Sequence, residues 1–220
     1  MPRERERERA LREGIVETAR KMSAIGLSPG KSGNLSARWG TGMLITASGV
    51  AYEGMDPQTD VIFVNGGQRD TSARPPSTEW HFHKAIYDTR PDVEAVVHCH
   101  SRYATALACV RKPIPAFHYM VAVAGGTAIP LAPYATFGTP ELAAHAAAAL
   151  SECNGCLLAN HGQIAVGPSL ADALYLAEEI ETLAAQYVTA LAVGKPHILS
   201  DTQMAEVLEK FKTYGKPHRV

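Results

Sequence analysis

Val96-Val97-His98-Cys99-His100 is an apolar run that ends in two histidines one residue apart. Such a run reads as a strand, and strand periodicity sends His98 and His100 to one face while Cys99 goes to the other. Two imidazoles side by side at a strand end either chelate one metal ion or hydrogen-bond to each other. A third histidine follows a second apolar run, Cys156 to His161, in the tripeptide Asn160-His161-Gly162. If the two strands share a sheet, the three rings meet and leave a position open, which is the ligand set of a catalytic zinc.

Outward from this centre, helical and strand patterns alternate. Leu11, Ile15, Ala19 and Met22 recur at helical spacing and stop at Gly26, while Arg3 to Arg9 alternates in charge and reads as a solvated, frayed helix start within residues 1–10. Short strand-like runs, Leu35 to Trp39, Met43 to Thr46 and Val61 to Val64, are separated by glycine-bearing turns and form a meander of antiparallel character. Ser77-Thr78-Glu79 enters a helix carrying Trp80, His83, Ile86 and Tyr87 and ending before Pro91; a strand spans Val93 to His100 and a helix Ser101 to Val110. Thr139-Pro140 opens an alanine-rich helix, Ile164 to Val166 is a short strand, Ser169 caps a long helix, and a last helix spans about Gln203 to Phe211. With no repeat, linker or composition break, residues 1–220 read as a single α/β domain, a mainly antiparallel central sheet flanked by helices.

Composition narrows the function. The chain has 220 residues, 46% hydrophobic, with 21 basic and 22 acidic residues and a net charge of -1, so no overall basic field invites nucleic acid. A chain of this length buries roughly 70% of its unfolded surface and folds without staples. The Arg/Glu-rich start and the lack of a long apolar run point to a cytoplasmic protein with no membrane partner. Cys99, Cys109, Cys153 and Cys156 read as reduced, mostly buried thiols. Cys153-Asn-Gly-Cys156 has no second pair to complete a zinc knuckle. Gly30-Lys31-Ser32 imitates the end of a phosphate-binding loop of nucleotide enzymes, but the leading glycine would fall at Ile25 and the segment follows a helix, so that reading is rejected.

Glu79, at a helix start, reads locally as an acidic complement to the helix dipole. Ser77 and Thr78 set two hydroxyls beside free helix amides, a ready phosphate site, and Gly33-Asn34 and Thr46-Ala47-Ser48-Gly49 are small polar loops where backbone can approach an anion.

Taken together, Gly33-Asn-Leu-Ser36, Leu44-Ile-Thr-Ala-Ser-Gly49, Pro76-Ser-Thr-Glu79, His98-Cys-His-Ser101 and Asn160-His-Gly162 resemble the class II aldolase/adducin family. Arg90-Pro-Asp-Val93, Ile114-Pro115, His118-Tyr-Met120, Gly125-Gly126, Ala132-Pro-Tyr-Ala-Thr-Phe-Gly138 and Phe211-Lys-Thr-Tyr-Gly215 extend the resemblance from about Leu11 to Gly215, closest to the zinc-dependent L-fuculose-1-phosphate aldolases. The resemblance implies a homotetramer with active sites at subunit interfaces, zinc held by His98, His100 and His161, and Glu79 near the metal as acid/base and a possible further ligand. It implies phosphate binding by Asn34, Thr46, Gly49, Ser77 and Thr78, and an aldehyde half handled by Tyr119 from a neighbouring subunit and Tyr214 from the C-terminal segment. Burial that raised the Glu79 pKa would help it move the proton at the carbon of dihydroxyacetone phosphate.

The implied substrate is a phosphorylated sugar, L-fuculose 1-phosphate or a close ketose 1-phosphate. The alternatives are a salvage aldolase for 5-deoxypentulose 1-phosphates, a pentulose-phosphate 4-epimerase, a methylthioribulose-1-phosphate dehydratase and an adducin-like module without catalysis. Glu79 stands where the related epimerases carry aspartate, and an intact ligand set argues against the non-catalytic module. Ala47 replaces a frequent proline and Thr78 a frequent serine, and Lys31-Ser32 is an unfamiliar addition to the first phosphate loop.

Overall fold

The strand carrying His98, β5 (Ala95–Cys99), lies at the middle of an eight-stranded sheet in a computed structural model that describes residues 2–66, 68, 69 and 74–213. The other strands are β1 (Asn34–Trp39), β2 (Gly42–Thr46), β3 (Val61–Asn65), β4 (Gln68–Arg69), β6 (Leu131–Ala132), β7 (Gly155–Leu158) and β8 (Gly162–Gly167). Their order is β4-β3-β2-β1-β5-β8-β7-β6, and every neighbouring pair is antiparallel except β6 and β7.

Side-chain alternation divides the core in two. Ala95, Val97 and Cys99 of β5 and Leu35 and Ala37 of β1 face a core shared with α1 (Pro2–Ala24), α3 (Arg102–Cys109), α5 (Leu170–Val193) and α6 (Asp201–Phe211). Val96, Ile164 and Val166 face the other core, closed by α2 (Trp80–Thr89) and α4 (Pro140–Ala149). Period two on the strands therefore decides which residues can meet α2, and Asn34, Ser36 and His98 fall on that side. The fully buried Ile86 on α2 is one anchor of this face; truncating such a residue to alanine costs roughly 2–5 kcal/mol.

The helices start where local chemistry satisfies their free amides. Thr139 accepts from the Leu142 N–H ahead of Pro140, Ser169 accepts from the Asp172 N–H, and Ser200 with Gln203 forms a reciprocal capping box. Helix α1 runs through the charged segment from Pro2, and Glu8 and Arg9 pair with Arg12 and Glu13 at i,i+4. Strand β5 is shorter than the run Val93 to His100, because the Val93 N–H bonds back to the Arg90 carbonyl in the turn leaving α2. The run Cys156 to His161 likewise divides: β7 ends at Leu158, and Ala159–His161 form a hairpin turn in which Asn160 adopts φ 54°. Positive φ is tolerated best by glycine and asparagine, so Asn160 fits a turn that aims His161 toward β5.

All four cysteines are free; Cys99 and Cys156 are fully buried, and burial pushes the Cys99 thiol up to about 12 and the Cys156 thiol above the usual range. Among the described residues no helix is long and apolar enough to cross a membrane.

Candidate metal centre and substrate cavity

His98, His100 and His161 converge, with ligand-capable atoms all within 4.8 Å of one another. Their ring centroids form a near-equilateral triangle of 4.9, 4.8 and 4.9 Å, with the rings steeply inclined to one another at 76°, 76° and 68°. Three rings arranged this way point nitrogens at a common centre instead of stacking. His98 is fully buried, and its Nδ1 lies 2.8 Å from the Gln163 carbonyl oxygen. A carbonyl only accepts, so Nδ1 carries the proton and the Nε2 lone pair faces inward, 3.1 Å from His100 Nε2. Burial first, and then the neighbouring His98 and His161, push the His100 pKa down to about 4. That keeps the ring neutral, the form that ligates a metal.

Two glycines make the approach possible. A Cβ on Gly162 would lie 2.5 Å from the Cys99 carbonyl oxygen and 2.8 Å from His100 Cδ2; one on Gly33 would lie 2.5 Å from Ser28 Oγ and 2.8 Å from the His98 carbonyl oxygen. Any side chain at either position would displace the strands that carry the histidines.

Glu79 holds the N-cap position of α2, yet its side chain makes no cap bond. It turns into the cluster, with Oε2 3.2 Å from His98 Nε2 and Oε1 3.1 Å from His161 Nε2. Oε2 also accepts from Asn34 Nδ2 at 2.9 Å, whereas Oε1 is buried and, despite its closeness to His161, has no hydrogen-bond partner among the described residues. A buried carboxylate oxygen without a donor beside three inward-facing imidazoles fits a cation at their centre. Burial alone would raise the Glu79 pKa, but His98 and His161 outweigh it and hold the carboxyl well below the usual carboxylate range, opposite to the direction that would help it keep a proton.

Above the cluster opens a cavity of ≈ 420 Å³ lined by Glu79, His100 and His161, by Ser77, Thr78 and Gly49, and by the segment from Lys31 to Asn34. Gly49 adopts φ +73°, and Ser77 Oγ accepts from the Glu79 N–H. Thr46 is not among the lining residues; its hydroxyl accepts from the Leu35 N–H within the sheet. Asn34 reaches the cavity, but its amide is engaged by Glu79 and by His83, whose Nε2 lies 2.6 Å from Asn34 Oδ1. Tyr119, half exposed on a 3-10 segment (Tyr119–Ala124), is not among the cavity's lining residues, and Tyr214 lies outside the described residues.

Sequence reading assigned no role to several residues that build this site. Tyr52 donates to the Gly33 carbonyl at 2.6 Å and props the first loop, with burial raising its pKa to about 12. Tyr134 and Phe137, exposed by 52% and 64%, also line the cavity; their exposure, visible only in the fold, is the signal.

The family described as "Class II Aldolase and Adducin N-terminal domain" matches residues 13–188. A 5-methylthioribulose-1-phosphate/5-deoxyribulose-1-phosphate aldolase of Rhodospirillum rubrum is 50% identical over 206 residues, 94% of this chain and 93% of that protein. An L-fuculose phosphate aldolase of Escherichia coli K12 is 48% identical over 202 residues, 91% of this chain and 94% of that protein. A solved structure described as L-fuculose 1-phosphate aldolase superposes with a TM-score of 0.88 at 39% identity, covering 92% of this chain and 96% of that one.

Proposed function

The chain belongs to the class II aldolase and adducin family and is a class II aldolase, and from that premise we propose that it cleaves an apolar-ended ketose 1-phosphate to dihydroxyacetone phosphate and a small aldehyde. L-fuculose 1-phosphate, which yields L-lactaldehyde, is the first candidate. The second, favoured by the relative from R. rubrum, is 5-deoxyribulose 1-phosphate or its methylthio counterpart. All of these share the phosphorylated three-carbon half and end in a methyl or thioether group, and the wall of Tyr134, Ala135 and Phe137 suits such an end.

The observation that carries the reading is Glu79, an ionised carboxylate with one undonated oxygen, set beside three converging imidazoles in the cavity. His98, His100 and His161 would hold the metal, which we take to be zinc from its fit to three imidazoles. When bound, such an ion supplies Lewis-acid stabilisation of the charge left on the three-carbon fragment. The remaining work falls to the chain itself. Ser77, Thr78, Gly49 and the loop at Asn34 offer hydroxyls and amides to the phosphate, and Lys31 adds a cation at the rim. Glu79, ionised at rest, takes up the proton released as the cleaved hydroxyl becomes the aldehyde carbonyl and passes it to the carbon from which the aldehyde departs; in the reverse direction it removes that proton. Thr46 supports this loop from within the sheet.

The assembly we propose is a homotetramer in which Tyr119 of one copy and Tyr214 serve the aldehyde oxygen, Tyr119 across a subunit interface; the half-exposed position of Tyr119 away from its own cavity supports this. The cytoplasm is the proposed location. The test is release of triose phosphate by the zinc-loaded protein from L-fuculose 1-phosphate, 5-deoxyribulose 1-phosphate, 5-methylthioribulose 1-phosphate and D-ribulose 1-phosphate, with and without chelator. Chelator-sensitive release that favours the first three over the hydroxyl-ended D-ribulose 1-phosphate is expected. Pentulose epimerisation without triose phosphate would overturn the reading.

A further inference from the structure

From Glu79 a chain of buried polar groups runs through Asn34 to Tyr87, and the proposed reaction does not itself require its members beyond Asn34. Tyr87 OH lies 2.8 Å from Ser36 Oγ, Ser36 Oγ 2.7 Å from His83 Nδ1, His83 Nε2 2.6 Å from Asn34 Oδ1, and Asn34 Nδ2 2.9 Å from Glu79 Oε2. Of these, His83 and Ser36 are wholly buried and Asn34 and Tyr87 nearly so. Elementary donor and acceptor rules give the chain one direction. The Glu79 carboxylate accepts only, so the Asn34 amide presents its nitrogen to it and its oxygen to His83. That oxygen requires a proton on His83 Nε2, which leaves Nδ1 to accept from Ser36, whose oxygen in turn accepts from Tyr87. Every hydrogen bond therefore points toward Glu79.

We infer that His83 is a positioning residue for Glu79, acting through Asn34. The inference rests on the aldolase reading of the site. Among the described residues Asn34 is the side-chain donor to Glu79: His98 Nε2 faces the carboxylate with a lone pair, and Oε1 beside His161 has no hydrogen-bond partner. The Asn34 bond is the anchor of the carboxylate, and His83 prevents the amide from turning over. Burial, with His98 adding to it, lowers the His83 pKa to about 3, so the ring stays in the neutral form that both donates and accepts. The arrangement also explains why Asn34 has its amide turned inward although it stands on the cavity wall.

The test compares His83→Phe, which keeps a ring and loses both hydrogen bonds, with His83→Gln, which can still donate to Asn34. Expected for His83→Phe is a kcat lower by about 10–100-fold, with KM changed by less than about 3-fold and zinc content per chain unchanged; His83→Gln recovers most of the loss. Wild-type kcat in His83→Phe would overturn the inference. A readout independent of turnover is the imidazole ¹⁵N spectrum of the wild-type protein, free and zinc-loaded. A neutral ring protonated at Nε2 is expected, and a charged ring or an Nδ1-protonated ring overturns the inference even where His83→Phe fails to fold. If the wild-type protein cleaves none of the ketose phosphates, the reaction is misassigned; the spectrum still decides the tautomer separately.

Discussion

Two glutamates meet two helix N-termini in this molecule, with opposite results. Glu181, on α5, accepts from the Tyr103 and Ala104 amides at 2.8 and 2.9 Å and so caps α3, whose own N-cap residue, Ser101, makes no side-chain cap bond. Glu79 sits at the N-cap of α2 and leaves that helix uncapped, its carboxylate drawn instead toward His98, His161 and Asn34. The residue type and the local dipole are the same. What differs is the strength of the competing partners: one carboxylate meets only amides, the other meets imidazoles and an amide donor in a buried setting. A helix start thus supplies a carboxylate for chemistry when its capping role is left vacant.

The sharpest contrast comes from altering the two ends of the Glu79 site. His161→Ala is expected to lose zinc and reduce turnover to background, whereas Glu79→Gln keeps zinc and lowers kcat by about 10²–10⁴-fold. Metal analysis beside steady-state kinetics reads both, and equal zinc content and activity in the two variants would break the distinction between ligand and acid/base. Gly162→Ala, whose Cβ would press on His100 Cδ2, is expected to weaken zinc by about 10–100-fold in competition with a chelator.

Acid sharpens the comparison from the side of stability. His83 takes up a proton near its ordinary value of 6.5 in the unfolded chain but only near 3 in the fold, because burial disfavours the charge. The unfolded state therefore binds more protons across that window, and stability falls as pH drops from about 6.5 toward 3. Urea midpoints in the metal-free protein should fall over this range, and less steeply in His83→Phe. The smallest effect belongs to the structural glutamate: Glu181→Ala should lose about 1–2 kcal/mol of stability with kcat changed less than about 2-fold. A large loss of kcat there would mean that the α3 cap, too, serves the site.

The histidine cluster was legible in the sequence because each part of it is local. His-x-His is resolved by strand periodicity, and Asn-His-Gly contains the turn that aims its own histidine. Glu79 was legible only through family resemblance, since its neighbours read as an ordinary helix start. His83, Ser36 and Tyr87 were named in the sequence without a role because their partners lie about 50 residues away in sequence. Tyr52 escaped because its acceptor is a backbone carbonyl, that of Gly33, which no residue type marks. Strands β4 and β6, two residues each, are too short to carry a period.

The aromatic wall has a consequence for how such an enzyme changes over evolutionary time. Tyr134, Ala135 and Phe137 lie in the segment between β6 and α4, outside every strand, while the histidines are locked by a ladder register and two obligatory glycines. On the proposed reading, selection can exchange the bulk of those three side chains, and with it the aldehyde accepted, without moving the histidines. Chains with the same histidines can drift apart in diet while remaining one kind of catalyst.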